Sequence, residues 1–377
     1  MSIRGKKAER RSGAATLWML PLIASLGLLV AACGGGGSSG AVPAPTAPPG
    51  LWVPNFFGAN VVAFDARQRA QSGTPNPALT NKSAAIDSPE EALFDASGNL
   101  WITSCSDPVI GAGAIMEFTS DQLKNLKKDP TPNPNVTLSD NGSFDIFGCP
   151  YGAAFGSDGS LWASNRFSAD LVNFTPSQLS VGGVQFPDTK IVSSSFGNPE
   201  GIQFDAAGTL WVADIEESEI FGFKAATLAA AEGTTADLTP DIINSSASIN
   251  GPADIFMDPS GNQWVSNCLG DTVVEFAASD VAASGSPTPV VVLSSTSVST
   301  PPGASFSLDC PEGVAFDKSG NLWVSNAVSD NFGSIVEFTP DQLTASGSPV
   351  PNIFLDSDPA GDNLNQPALF TFGPSVK

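Results

Sequence analysis

The clearest structural signal lies in residues 198–214, which read NPEGIQFDAAGTLWVAD. Residues 201–204 (GIQF) and 210–213 (LWVA) each have the composition and length of a strand. The D-x-x-G sequence at 205–208 supplies turn residues between them. The stretch therefore predicts a tight β-hairpin.

The same pattern recurs along most of the chain. A tryptophan marks each recurrence, at spacings of 49 to 61 residues: Trp52, Trp101, Trp162, Trp211, Trp264 and Trp323. Self-similarity at a period near 50 residues is typical of β-propellers, in which each repeat forms one blade. Six units of four short strands predict an all-β, six-bladed propeller with antiparallel blades, and the tryptophans are expected to pack between blades.

The remaining strands and the closure of the ring can also be predicted. A third strand, such as residues 335–338, follows each hairpin, and fourth strands are expected at 74–80, 131–138, 186–192, 238–243, 286–293 and 348–355. The first unit opens at Leu51-Trp52 without the strand that precedes the hairpin turn in the other units. Residues 366–372 have the sequence of that strand, so the N- and C-terminal strands are expected to share one blade.

The first 50 residues predict export from the cytoplasm. A basic start at residues 4–11 precedes an apolar run at 17–32, which is too short for a settled membrane helix and has the pattern of a secretory signal. The run ends in Val30-Ala31-Ala32-Cys33-Gly34, which resembles a bacterial lipobox. That resemblance implies cleavage before Cys33 and lipid on the new N-terminal cysteine; an ordinary cleaved signal or an uncleaved anchor is the alternative.

Three segments follow from this pattern. Residues 1–32 are expected to be a lipoprotein signal peptide, 33–50 the lipidated Cys33 with a Gly/Ser/Pro-rich linker, and 51–377 the propeller. The lipid on Cys33 would tether the protein to a membrane without spanning it. The expected location is the bacterial cell envelope with the propeller outside the cytoplasm, at the outer membrane in a Gram-negative host, because Gly34 rather than aspartate follows the cysteine.

Composition excludes several function classes. Lys and Arg total 16 against 38 for Asp and Glu, a formal charge of −22, so the basic footprint of a nucleic-acid-binding protein is missing. The chain has no histidine, which excludes Ser-His-Asp triads, Cys-His pairs and histidine-liganded zinc or haem. Chemistry would have to come from carboxylates, amides, hydroxyls, thiols or a bound ion.

Residues 311–338, PEGVAFDKSGNLWVSNAVSDNFGSIVEF, resemble NHL-type repeats. They are also similar to the wider group of six-bladed propellers that includes gluconolactonases and streptogramin lyases. The resemblance covers residues 51–377 but rests mostly on blade-building positions, so it implies fold far more than function. The missing histidine departs from the streptogramin lyases, whose chemistry depends on one.

Four cysteines occupy equivalent places in two pairs of neighbouring units. Cys105 and Cys268 follow the tryptophan strand of one unit, while Cys149 and Cys310 precede the opening proline of the next. In a propeller these two places lie on the same face, so Cys105–Cys149 and Cys268–Cys310 are the predicted disulfides, which an exported protein can form. The alternative is a metal site with four thiolates.

The same face predicts a ligand site at one mouth of the central channel. The residues after each opening proline are Glu90, Tyr151, Glu200, Ala253, Glu312 and Ala368. Asp254 follows one of them, and Arg166 comes from the same unit as Tyr151. The candidate ligand-binding residues are therefore Glu90, Tyr151, Arg166, Glu200, Asp254 and Glu312, which form an acidic mouth with one cationic, aromatic sector.

A metal site is implied by the resemblance rather than by spacing. Gluconolactonase-like propellers hold a divalent ion with Glu, Asn and Asp, which on this chain points to Glu200, Asp214, Asn267, Glu312 and Asn326. Oxygen ligands of this kind suit Ca²⁺ or another hard divalent cation. The alternative is that the carboxylates are solvated or paired with Arg166, and that the asparagines hydrogen-bond the backbone of turns.

Two functions remain open at this point. The first is a lipid-anchored binding scaffold, which would present the acidic mouth to an envelope protein or a small molecule. The second is a divalent-metal-dependent hydrolase or lactonase of gluconolactonase type, with Glu200 or Glu312 as the base. The sequence does not decide whether the protein is an enzyme.

Overall fold

The computed structural model describes residues 50–105, 113–139, 146–300, 303–328, 332–357 and 363–375. Its main feature is a six-bladed β-propeller, as predicted. The predicted signal peptide, Cys33 and nearly all of the linker lie outside the described residues. Within the described ranges, no helix is long and apolar enough to cross a membrane.

Each blade has four main antiparallel strands, named here inner, second, third and outer. In blades 1 to 6 the inner strands are Thr371–Gly373, Pro89–Phe94, Pro150–Phe155, Pro199–Phe204, Pro252–Met257 and Pro311–Phe316. The second strands are Gly50–Asn55, Leu100–Ser104, Leu161–Asn165, Leu210–Asp214, Gln263–Asn267 and Leu322–Asn326. The third strands are Asn60–Phe64, Ala114–Phe118, Asp170–Phe174, Glu219–Phe223, Thr272–Phe276 and Ser334–Phe338. The outer strands are Leu79–Asn81, Val136–Ser139, Thr189–Val192, Ile242–Asn244, Val291–Ser294 and Ile353–Asp356.

Short elements complete the described chain. Two further strands are Gly183–Val184 and Thr235–Asp237, and an added hairpin before blade 6 pairs Ser297–Thr300 with Gly303–Phe306. The α-helices are Ser120–Asn125, Pro176–Leu179, Ala225–Ala231 and Ala278–Val281. The 3₁₀ helices are Gln68–Ala70, Cys268–Gly270 and Pro340–Leu343.

The chain termini close the ring in blade 1, as predicted. Leu51 pairs with Phe372 and Trp52 with Thr371 in an antiparallel register, and Asn55 pairs with Pro367 farther along. The C-terminal segment therefore supplies the inner strand that the first unit lacks.

Each tryptophan packs against the following blade. Trp52 lies in a buried cluster with Leu100 and Ile102 of blade 2, and Trp323 lies in one with Leu51 of blade 1. The D-x-x-G turn holds the indole: in blade 4, Asp205 Oδ1 accepts the amides of Ala207 and Thr209 while Oδ2 accepts Trp211 Nε1 at 3.0 Å. The turn aspartate is thus satisfied by the hairpin and by the tryptophan that joins the blades.

The outer strands begin three to five residues later than predicted. Prolines such as Pro75, Pro132 and Pro287 occupy the stretches before them, and a proline cannot donate a ladder hydrogen bond. These stretches belong instead to the connections between third and outer strands. Each of five connections pairs in parallel with the outer strand of the preceding blade and covers its edge. The pairs are Gly73–Leu355, Gly183–Leu138, Ala236–Ile191, Gly285–Asn244 and Gly347–Leu293. At the remaining seam, Lys82 N donates to the carbonyl of Pro130.

A hydroxyl near the end of the second strand joins each of four blades to the next. Ser164 Oγ accepts the amide of Gly152 in its own blade at 2.9 Å and donates to the carbonyl of Glu200 in blade 4 at 2.5 Å. We call this arrangement a hydroxyl latch. The other three latches run from Thr103 to Tyr151, from Ser266 to Glu312 and from Ser325 to Ala368.

The two remaining seams lack the hydroxyl because the equivalent residues are Ala213 and Pro54. Between blades 1 and 2, backbone bonds replace it: Leu369 N donates to Glu90 O at 2.8 Å, and Ala92 N donates to Leu369 O at 3.1 Å. Neighbouring inner strands are therefore held together at the level of the predicted mouth.

We expect Ser164→Ala to lower the free energy of unfolding by about 1–3 kcal/mol, because it leaves the buried Gly152 amide without its hydroxyl acceptor. The measurement is urea unfolding followed by tryptophan fluorescence. The control is Ser97→Ala, at an exposed position of a hairpin turn. Equal unfolding midpoints for the two variants would show that the latch does not stabilise the ring.

Candidate functional site

A bulge places the predicted mouth residues. In blades 2 to 6 the pairing of the inner with the second strand shifts register just after the opening proline, as between Pro199 and Ile202. Bulges of this kind re-aim a side chain at the edge of a sheet. The residue after the proline therefore leaves the regular ladder, and in four blades it is Glu90, Tyr151, Glu200 or Glu312.

The structure brings five of the six predicted ligand-binding residues together. Tyr151 donates its hydroxyl to Glu312 Oε2 at 2.5 Å, although the two residues come from blades 3 and 6. Arg166 Nη2 lies 3.1 Å from Glu200 Oε1, and its guanidinium stands 5.4 Å from the centre of the Tyr151 ring. Glu90 is close enough to interact electrostatically with Glu312 and Arg166. We call these five residues the acidic cluster.

The acidic cluster holds three carboxyl groups and one guanidinium in a largely buried environment. Burial raises the pKa of Glu90 and of Glu200 well above the usual range, and the charge of Glu312 raises both further. The positive charge of Arg166 lowers the pKa of both glutamates. Burial also raises the pKa of Glu312, against the hydrogen bond from Tyr151, so protonation of the three carboxyls is strongly linked.

Glu200 is the least satisfied member of the acidic cluster. The residue is 0% exposed, and neither carboxylate oxygen has a hydrogen-bond partner. The contact with Arg166 is an ion pair by distance, but it does not have the angle of a hydrogen bond. Buried polar groups are nearly always hydrogen-bonded, so this carboxyl is suited to bind a further group.

Asp254 belongs to a second acidic pair that sequence reasoning missed, and the charge of Glu312 in the acidic cluster also raises its pKa. Its oxygens accept the amides of Ile255 at 2.8 Å and Val314 at 3.0 Å, and burial raises its pKa to about 7. Its partner is Glu91, which accepts the amide of Ala153 and whose pKa is raised well above normal by burial and then by Asp254. Two adjacent glutamates in the PEEALF strand are the available signal, but the position directly after the proline points only to the first.

Three of the five expected metal ligands hold their own loops. Asp214 accepts the amides of Gly197 and Asn198, Asn267 Oδ1 accepts that of Asn250, and Asn326 Oδ1 accepts that of Asp309. The amides of the asparagines donate to the loop carbonyls of Ser248 and Ser307. The oxygens that a cation would need are thus engaged, whereas Glu200 and Glu312 lie in the acidic cluster.

Both predicted disulfides are present. Cys105–Cys149 joins blades 2 and 3, and Cys268–Cys310 joins blades 5 and 6. Each lies beside one carboxyl of the acidic cluster: the sulfurs of the first pair are within 4.8 Å of Glu90, and Cys310 Sγ is 3.5 Å from Glu312 Oε1. The disulfides therefore fix the loops that lead into the mouth.

Comparison with known proteins supports the fold. No family model matches the chain, and no curated protein matches its sequence. The periplasmic gluconolactonase of Pseudomonas aeruginosa is similar in structure, with 12% identity over 87% of this chain and 99% of that one and a TM-score of 0.54. A putative 6-phosphogluconolactonase from Bacteroides uniformis matches with 14% identity over 86% and 99% and a TM-score of 0.52. A protein of unknown function from Bacteroides caccae matches with 10% identity over 86% and 98% and a TM-score of 0.55.

A streptogramin B lyase is also similar, with 12% identity over 80% of this chain and 83% of that one and a TM-score of 0.47. The two gluconolactonase-type neighbours with TM-scores above 0.5 confirm the predicted propeller fold. Identities this low show the fold alone. The NHL designation stays a prediction.

We expect the protein to be more stable at about pH 5 than at about pH 8, because carboxyls with a raised folded pKa stabilise the folded state as neutral acids and lose that contribution as pH rises. The sign follows from the protons that Glu90 and Glu200 keep when folded and release when unfolded. Thermal unfolding across this range measures it.

The matched pair of variants is Glu200→Gln and Glu216→Gln, since Glu216 is exposed in a turn of blade 4. The first should flatten the pH dependence, whereas the second should leave the slope nearly unchanged. A slope that responds equally to both variants would trace the effect to the overall negative charge rather than to the acidic cluster.

Proposed function

We propose that this protein is a lipid-anchored, extracytoplasmic binding scaffold whose acidic cluster receives a positively charged group of an envelope protein or of a small molecule. The observation that carries the proposal is Glu200, whose two buried oxygens lack hydrogen-bond partners beside two further glutamates. A buried carboxylate is costly unless a cation or hydrogen-bond donors satisfy it. A cationic ligand would supply both.

Arg166 supports this choice of ligand. Its guanidinium already pairs with Glu200 and stands over the ring of Tyr151, so the acidic cluster accommodates one cation from its own chain. The Arg166 side chain is 31% exposed, whereas that of Glu200 is almost fully buried. Arg166 is therefore the more accessible member of the ion pair, and an arriving cation would share the acidic cluster with it.

The raised pKa values of the glutamates link binding to proton release. Burial raises the pKa of Glu90 and of Glu200 and so favours their neutral forms, whereas a cation favours the charged forms. Binding of a cation should therefore release protons and become tighter as pH rises. This behaviour would distinguish the acidic cluster from exposed carboxylates, which are already ionised near neutral pH.

The alternative is a divalent-metal-dependent hydrolase or lactonase of gluconolactonase type. The carboxyl oxygens of Glu200 and Glu312 favour it, since hard cations prefer such ligands. The other three expected ligands fit less well, because Asp214, Asn267 and Asn326 hold loop backbone. We therefore place this function second and derive no catalytic step from it.

Calorimetric titration of the purified protein with methylguanidinium, n-butylammonium, Ca²⁺ and Mg²⁺ tests the proposal. We expect an organic cation to bind with proton release, seen as a heat that depends on the ionisation enthalpy of the buffer, and to bind more tightly at higher pH. Glu200→Gln should weaken binding about tenfold or more, the size of a lost charge-assisted hydrogen bond.

Glu216→Gln should bind as the unaltered protein does. If all four cations bind both variants equally, or none binds the unaltered protein, the acidic cluster is not a cation site. Binding of Ca²⁺ or Mg²⁺ alone, lost in Glu200→Gln, would favour the metal-dependent alternative and justify assays with lactones and esters.

The anchor needs a separate test, because Cys33 lies outside the described residues. We expect the chain expressed in a bacterial host to incorporate labelled palmitate and to partition into detergent on phase separation. Cys33→Ser should abolish both, and Cys105→Ser should keep the label. Retention of label by Cys33→Ser would contradict lipidation at this residue.

A further inference from the structure

Large apolar side chains surround the mouth that holds the acidic cluster. The turns between second and third strands carry Phe57 in blade 1, Phe167 in blade 3, Leu269 in blade 5 and Phe332 in blade 6, and the added hairpin before blade 6 carries Phe306. Each is between 43% and 63% exposed. We call these five residues the apolar rim.

Backbone contacts fix members of the apolar rim next to the loops that enter the inner strands. Phe167 N donates to Gly148 O at 2.8 Å, and Phe56 N, beside Phe57, donates to Gln366 O at 3.0 Å. Leu269 packs so closely on Gly251 that a Cβ there would lie 2.3 Å from its side chain. These turns are therefore on the mouth face and not at the opposite end of the blades.

Two members of the apolar rim adjoin residues that touch the acidic cluster. Phe167 directly follows Arg166, whose guanidinium pairs with Glu200. Leu269 directly follows Cys268, and the disulfide partner Cys310 contacts Glu312. Two members of the apolar rim are thus joined by one peptide bond to residues whose contacts lead to the acidic cluster.

Blade 4 is different. Its turn carries the exposed pair Glu216 and Glu217, so this sector of the mouth face is acidic where four other blades present apolar side chains. The corresponding turn of blade 2 lies outside the described residues. The face therefore combines a buried acidic centre, an apolar rim and one acidic sector.

We propose that this face docks a polypeptide partner that inserts a lysine or arginine side chain into the acidic cluster and packs flanking apolar residues on the apolar rim. The proposal rests on the cation binding proposed above and names the partner. In protein interfaces, a few buried central residues usually contribute most of the binding energy, and the contacts around them exclude water. Rim residues from four blades and a hairpin require a ligand that extends across the mouth.

Charge disfavours two other occupants. A second copy docked face to face would bring two acidic mouths together in a chain of formal charge −22. A bilayer surface rich in anionic lipids would repel the same face. A polypeptide segment that carries a cation and apolar side chains is complementary to both the acidic cluster and the apolar rim.

Binding of three probes to the full protein tests the proposal: n-butylammonium, a blocked peptide with one lysine between two pairs of apolar residues, and the same peptide with glycines in place of the apolar residues. We expect the apolar peptide to bind about tenfold or more tightly than the glycine peptide, as burial of one or two apolar side chains implies. Acetylation of its lysine should abolish binding.

The double variant Phe167→Ser, Leu269→Ser should remove the advantage of the apolar peptide and leave n-butylammonium binding unchanged. Its control is Val181→Ser, an exposed apolar residue in the connection between the third and outer strands of blade 3. Circular dichroism and thermal unfolding verify that both variants fold, which is expected because all three side chains are exposed.

The outcomes separate the two proposals. If n-butylammonium does not bind, cation binding fails and the docking proposal falls with it. If n-butylammonium binds but the apolar peptide binds no more tightly than the glycine peptide, the docking proposal alone is overturned. An apolar advantage that survives in Phe167→Ser, Leu269→Ser but is lost in Val181→Ser would also overturn it, because the contact would then lie away from the mouth.

Discussion

The close approach of the inner strands is the constraint on which the rest of the structure depends. At the seam between blades 3 and 4, a Cβ on Gly152 would lie 2.4 Å from the carbonyl oxygen of Glu200, so only glycine fits there. The hydroxyl of Ser164 bonds the same two backbones together. Four such latches, backbone bonds at a fifth seam, and tryptophans packed on the next blade at every seam hold six sheets in one ring.

The close approach of the inner strands also determines the chemistry at the mouth. The residues whose carbonyls accept the latches include Tyr151, Glu200 and Glu312, so the bonds that close the ring also fix three members of the acidic cluster. Water is excluded from side chains that approach one another so closely, and burial is accordingly the largest influence on the pKa of each glutamate. Stability of the ring and the electrostatics of the site are thus set by the same residues.

Much of this arrangement was predictable from the repeats. The tryptophan spacing identified six blades. The C-terminal segment 366–372 identified the closing strand. Equivalent positions in the repeated units identified both disulfides and the residues of the acidic cluster. Pairings across the ring were not predictable, because the contact of Tyr151 with Glu312 depends on the channel radius. The asparagines that end the second strands bond their own loops, which residue type alone does not reveal. The latch did have a signal, a Ser or Thr one residue before the end of four second strands, but its partner lies in another blade.

The connections that cover the outer strands bear on the lipid anchoring proposed above. A propeller blade normally ends in a strand with unpaired amides and carbonyls, and exposed edges of this kind pair with one another when molecules are crowded. Here the chain of each following blade pairs with that edge at five seams, and at the sixth it accepts one amide hydrogen bond, from Lys82 to the carbonyl of Pro130. If the proposed anchor holds many copies side by side in a membrane plane, they could therefore collide edge to edge without offering one another a template for intermolecular sheet growth.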